Sequence, residues 1–209
     1  MTEGRWLMKR VVCILLALSI CTVLGACTGA KQRDNIPLFE RVCSAEEGLV
    51  LAGEEGYLVF EDAELTSGES LWKEFLRSVE SSLPAGIMIA KYYTLNGVNM
   101  SEELYESEKA NYPKLYLTEV EYDGSVFKVK TRASNEKTPD SEDTYKFMKH
   151  FEGDMPSSAL YRTYDSYVLV NDDGITMEDI EEGMYSSLSG KWVKHYTVYR
   201  VYDGKKGGK

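Results

Sequence analysis

The sequence predicts an α+β domain: a largely antiparallel sheet of about five to eight strands with two or three helices packed on it. Apolar and β-branched runs bounded by turn residues recur from Tyr57 to Tyr202. Asp123-Gly124 between two such runs is a strong short hairpin signal. Helical spacing shows most clearly at Leu71, Trp72, Phe75, Leu76 and Val79, and again after Thr176. A helix on a curved sheet, cystatin-like in outline, is the nearest analogy, and it rests on pattern alone.

Leu49–Ala52 and Tyr57–Phe60, separated by Gly53-Glu54-Glu55-Gly56, read as a hairpin with a four-residue loop. Thr66-Ser67-Gly68-Glu69 fits a capping box opening the Leu71 helix, which Pro84 stops, and Trp72 and Phe75 belong to the core. Gly86–Leu95 reads as a buried strand with Ile87, Ile89 and Lys91 on one face and Met88, Ala90 and Tyr92 on the other. A short helix over Glu102–Ala110 follows. A two-residue loop at Asp123-Gly124 would set Val120 opposite Phe127, Thr118 opposite Val129 and Glu119 opposite Lys128.

Ala133–Asp143 is polar and reads as an exposed loop, after which Thr144–Phe151 resumes as a strand burying Tyr145, Phe147 and Phe151. Tyr161–Val170 is another strand, ended by Asn171-Asp172-Asp173-Gly174. Thr176 and Asp179 cap the helix that follows, Ile175 and Ile180 make a hydrophobic staple, and Met177, Ile180 and Met184 form its inner face. Trp192–Tyr202 is the last strand.

The N-terminus is read as an address. Arg5, Lys9 and Arg10 precede an apolar run from Val11 to Leu24, and Gly25-Ala26 supply the small residues of a cleavage site. Leu24-Gly25-Ala26-Cys27 resembles the lipobox of bacterial lipoproteins, which implies that Cys27 is diacylated and becomes the first residue of the mature chain. Two acyl chains anchor a protein stably where one does not. An uncleaved span from Val11 to Ala30 is the competing reading, but the strongly apolar part stops near Leu24 and Gly25 and Gly29 follow. The domain plan is thus a signal peptide over 1–26, a lipidated N-terminus and flexible tether over 27–46, one domain over 47–203, and a disordered basic tail over 204–209.

Removing residues 1–26 takes three of the 24 basic and one of the 34 acidic residues, leaving a net charge near −12. That balance argues against nucleic acid, whose phosphates need clustered Lys and Arg. Of the four cysteines, Cys13 and Cys21 leave with the signal and Cys27 carries lipid, so Cys43 is a lone thiol, expected as a small buried residue.

No catalytic pattern survives inspection. With Gly174 at the invariant glycine of a calcium loop, the first and twelfth positions fall on Leu169 and Ile180, which cannot ligate; helix capping explains the local acids. Ser70-Leu71-Trp72-Lys73 matches Ser-x-x-Lys, yet neither Ser-Asp-Asn nor Lys-Thr-Gly accompanies it. The two histidines, His150 and His195, are too few for a three-histidine zinc site. Neither a nucleophile elbow, a phosphate loop nor Cys-x-x-Cys is present, and no cofactor is expected.

Tyrosine is the unusual residue: all fifteen lie between Tyr57 and Tyr202. Tyr161, Tyr164, Tyr167, Tyr196, Tyr199 and Tyr202 occupy the two late strands, where a spacing of three alternates faces, so some phenols should point outward as a candidate binding surface. Half-buried packing is the competing explanation.

The lipobox, Leu71-Trp72-Lys73-Glu74-Phe75-Leu76, Ile87-Met88-Ile89, Tyr92-Tyr93-Thr94-Leu95 and Tyr122-Asp123-Gly124 together resemble small lipoproteins of Gram-positive, clostridia-like bacteria. That family has no established activity, so the resemblance implies an address on the outer face of the cell membrane and no mechanism. The expectation is a non-catalytic binding or interaction module held at the membrane through diacylglyceryl-Cys27, with an envelope protein, peptide or glycan as partner. The alternatives are an envelope hydrolase using carboxylates dispersed in the sequence, and an accessory subunit of an envelope complex.

Overall fold

The computed structural model describes residues 36–139, 141–185 and 192–205. The signal peptide, the lipobox with Cys27, and the last four residues lie outside them. The elements run α1 (Ala45–Glu55), β1 (Leu58–Glu61), β2 (Glu64–Ser67), α2 (Glu69–Glu80), β3 (Ala85–Tyr93), α3 (Glu102–Glu108), β4 (Lys114–Tyr122), β5 (Phe127–Ala133), β6 (Ser141–Tyr145), β7 (Phe147–Asp154), β8 (Thr163–Val170), α4 (Met177–Tyr185) and β9 (His195–Asp203). The protein is α+β, but its strands form two sheets instead of one: a six-stranded sheet A ordered β2-β1-β3-β4-β5-β6 and a three-stranded sheet B ordered β7-β8-β9. Every pairing is antiparallel except β1 with β3.

Strand alternation decides what each face of sheet A buries. Leu58, Phe60, Ile87, Ile89, Val120 and Val129 point to one side, where they meet Trp72 and Phe75 of α2 and Leu169, Val198 and Tyr199 of sheet B. Tyr57, Val59, Ala90, Leu115 and Leu117 point to the other, under Ala45 and Ala52 of α1 and the fully buried Leu38. The far side of sheet B, Val168 and Val170, is covered by Met177 and Ile180 of α4.

Several expectations are corrected. Leu49–Ala52 belongs to a helix, not a hairpin strand, because Ser44 accepts the Glu47 N–H at the N-cap and Gly56 ends the helix in a left-handed conformation. The 27–46 tether does not reach 46: Leu38 and Cys43 are buried and Ala45 opens α1. Thr66 and Ser67 are not a helix cap but the end of β2, and Gly68 takes the N-cap position without a side-chain bond. Gly68 has φ +86°, and a Cβ at this corner would lie only 2.6 Å from the Tyr57 carbonyl oxygen, so the corner accepts only glycine.

The Asp123-Gly124 hairpin exists with a four-residue loop: Tyr122 pairs with Phe127, Val120 with Val129, Thr118 with Thr131 and Glu119 with Lys130. The expected Thr144–Phe151 strand is divided between β6 and β7, so Tyr145 is buried in sheet A while Phe147 is 37% exposed in sheet B. The expected 133–143 loop gives up its end to β6. The capping box of α4 is complete: Asp179 N–H donates to Thr176 Oγ1, and Thr176 N–H and Oγ1–H donate to Asp179 Oδ2. Met184, expected inside, is 56% exposed.

Candidate ligand-binding groove

The six late tyrosines do not share one surface. Tyr167 and Tyr199 sit in the joint between the sheets, where the Trp72 ring stacks on Tyr199 at 4.7 Å. Tyr164 packs on the α4 side of sheet B, under Arg200. Tyr161 stacks on Tyr202 and donates its hydroxyl to Glu64 on β2. A register shift between Tyr167 and Val168, opposite the Thr197–Tyr199 segment of β9, upsets strict alternation. Tyr196, Val198, Tyr199 and Val201 consequently all meet the same core.

Of the six, Tyr196 lines a groove rich in lysine and tyrosine. The groove lies where β3 and β4 each carry a Lys-x-Tyr triplet, Lys91-Tyr92-Tyr93 and Lys114-Leu115-Tyr116. Residues two apart share a strand face, and the register sets Lys91 opposite Tyr116 and Tyr93 opposite Lys114. Two lysines and two tyrosines thus alternate in a checkerboard. Tyr112, at the entrance to β4, and Tyr196 wall it, and Thr118 and Thr131 form its floor, enclosing about 410 Å³.

The side chains hold one another in place. Tyr93 and Tyr116 meet edge to face at 6.1 Å. Lys91 Nζ lies 4.8 Å from the Tyr196 ring centre and donates to the Thr197 carbonyl at 2.8 Å, and Lys114 Nζ lies 4.8 Å from the Tyr112 ring centre. The Tyr196 hydroxyl donates to Thr118 Oγ1 at 2.8 Å, and Thr118 Oγ1 is 3.0 Å from Thr131 Oγ1. Burial, then the neighbouring Tyr196 and Tyr116, push the Tyr93 phenol above its ordinary value, so it stays a neutral hydroxyl.

Charge separates this groove from a depression on sheet B and from an adjoining cavity of about 550 Å³ that shares Tyr112, Lys114 and Tyr116 but is also lined by Glu46 and Glu136. Among the described residues neither Lys91 nor Lys114 pairs with a carboxylate, and no acid lines the groove, although the chain has 34 acidic residues. A depression of about 600 Å³ on sheet B is instead lined by Glu152, Asp154, Asp165 and Asp203. His150 bonds Asp165 at 2.9 Å and stacks on Tyr167, while His195 Nδ1 lies 2.8 Å from the Val193 carbonyl oxygen. Among the described residues no cluster of three or more His, Cys, Asp or Glu could hold a metal ion. Cys43 is buried, and that burial, then Glu47, pushes its thiol up, away from the reactive thiolate.

The sequence reading missed Lys91, Tyr93, Tyr112, Lys114 and Tyr116. The available signal was the Lys-x-Tyr triplet at the end of one predicted strand and the start of the next, which an antiparallel pairing must bring together. Among known proteins, no family model, no curated protein and no solved structure matches this chain. Among the described residues no helix is long and apolar enough to cross a membrane.

Proposed function

We propose that this chain is a non-catalytic binding module, anchored through Cys27 to the outer face of the cell membrane, that holds an anionic ligand in the Lys91/Lys114 groove. The observation that carries the reading is the groove itself: two lysines without carboxylate partners among the described residues, set between four tyrosines, in a chain of net charge −10. The resemblance to Gram-positive lipoproteins and the lipobox at Leu24–Cys27 support the address.

The test is crosslinking and co-purification from intact cells with identification by mass spectrometry, comparing the wild type, Cys27→Ala and the double variant Lys91→Met/Lys114→Met. Envelope material captured by the wild type and lost from the lysine variant supports the module; equal capture by both overturns the groove. Release of Cys27→Ala from the membrane supports the anchor, and its full retention overturns it.

The acid-lined depression favours a second reading, an envelope hydrolase with Asp165 or Glu152 as its acid. Release of reducing ends from envelope polysaccharide by the wild type, abolished in Asp165→Asn, would displace the first reading.

A further inference from the structure

We infer that the ligand of this groove is an acidic saccharide, a short run of pyranose rings bearing carboxylate or phosphate groups. The inference rests on the groove being the binding site and adds the chemical class.

The groove is built on β3, β4 and β5, each of which has a paired strand on both sides in sheet A. Their backbone donors and acceptors are already used, so no strand can be added to the part of the groove that they form. Recognition is left to side chains, and these are of three kinds. The tyrosine rings offer flat apolar area of the sort that the C–H face of a sugar ring covers. The hydroxyls match a polyhydroxylated partner, because each can both donate and accept.

Two of the hydroxyls are linked to each other. Thr118 is 1% exposed and accepts from Tyr196, and its Oγ1 shares a hydrogen bond with Thr131 Oγ1 in which either hydroxyl can donate. Thr131 Oγ1 lines the groove and can present a lone pair or a hydrogen to a ligand. The third kind is the ammonium pair. Lysine is a point charge without the planar fork that grips one carboxylate or phosphate in two places, so the groove selects for negative charge along a ligand more than for the shape of one anion. Lys91 spends one donor on the Thr197 carbonyl and keeps two, while Lys114 rests on the Tyr112 ring. About 410 Å³ suits a small ligand or a few sugar rings.

The test is calorimetric titration of the chain lacking residues 1–26 with trigalacturonate, with the uncharged galactose trimer and with inorganic phosphate. Trigalacturonate is expected to bind, the neutral trimer about tenfold or more weaker, and each lysine removed to weaken the acid by about tenfold and the neutral trimer by clearly less. Phosphate alone is expected to bind far more weakly than the acidic trimer. Lys114→Met decides the point if Lys91→Met disturbs the sheet joint.

Equal affinity for charged and neutral trimers, phosphate binding as tight as trigalacturonate, or absence of saccharide binding would each overturn the assignment. Capture of envelope material that depends on Lys91 and Lys114 in cells would still leave the groove standing as a site for another anion.

Discussion

Arg132 is the largest of the fully buried side chains, at 1% exposure, and it anchors a segment that reads as a tether in the sequence. Its guanidinium donates to the carbonyls of Leu38, Phe39 and Arg41 on one side and of Ala133, Ser134 and Glu136 on the other. Five N–H donors in a rigid fork suit such a ring of dipoles, and three on a lysine do not. Arg132→Met keeps the stem but leaves these carbonyls without their donor. It is expected to cost about 3–5 kcal/mol in urea unfolding and to expose residues 36–44 to protease first. An unchanged midpoint would show that water satisfies the carbonyls equally well. Nothing in an alternating strand pattern distinguishes a buried arginine from an exposed one, which is why the packing of Leu38 was not legible.

At the scale of elements, the hairpin at Asp123 shows what local pattern carries and what it leaves open. A two-residue type I′ turn needs positive φ at both positions, and here Gly124 has it while Asp123 does not. Asp123 Oδ1 instead accepts the N–H groups of Ser125 and Val126 and the Ser125 hydroxyl, closing a loop of four. The register moves by two residues, and because two is the strand period, Val120 and Val129 still reach the core as the alternation requires.

Those bonds, Val126 first, hold the Asp123 carboxyl below its ordinary range. A depressed folded value contributes stability above the unfolded pKa, near about 3.9, that is lost as pH falls through the folded one. Asp123→Ala should therefore unfold at lower urea than wild type at pH 7, with the gap narrowing at about pH 3; a gap independent of pH would remove the carboxylate from the account.

Other elements were legible in proportion to their local signals. The Thr176–Asp179 box and the Trp72–Phe75 stripe appear where the sequence puts them. Leu49–Ala52 misleads because four apolar residues suit either state, and the Ser44 and Glu47 cap decides for helix. The division of 144–151 between two sheets depends on contacts that no local pattern reports, and with it the second sheet and the groove it completes.

For the whole molecule, the two sheets share one apolar core, with a ring cluster within it and polar bridges beside it. Trp72 stacks on Tyr199 at 4.7 Å and meets Tyr167 edge on at 5.0 Å, Lys91 and Tyr196 cross between sheets A and B, and Glu64 receives Tyr161 at 2.8 Å and Lys205 at 3.3 Å. Tyr196 reaches the groove only because sheet B is docked, so affinity and stability should separate by position. Trp72→Ala removes the centre of the joint and should cost about 3–5 kcal/mol in urea unfolding. It should also weaken trigalacturonate binding, although Trp72 does not line the groove. Lys114→Met should do the reverse, losing affinity while its unfolding midpoint stays within about 0.5 kcal/mol of wild type. Full affinity in a destabilised Trp72→Ala would mean that sheet A alone forms the site and that Tyr196 merely rests against it.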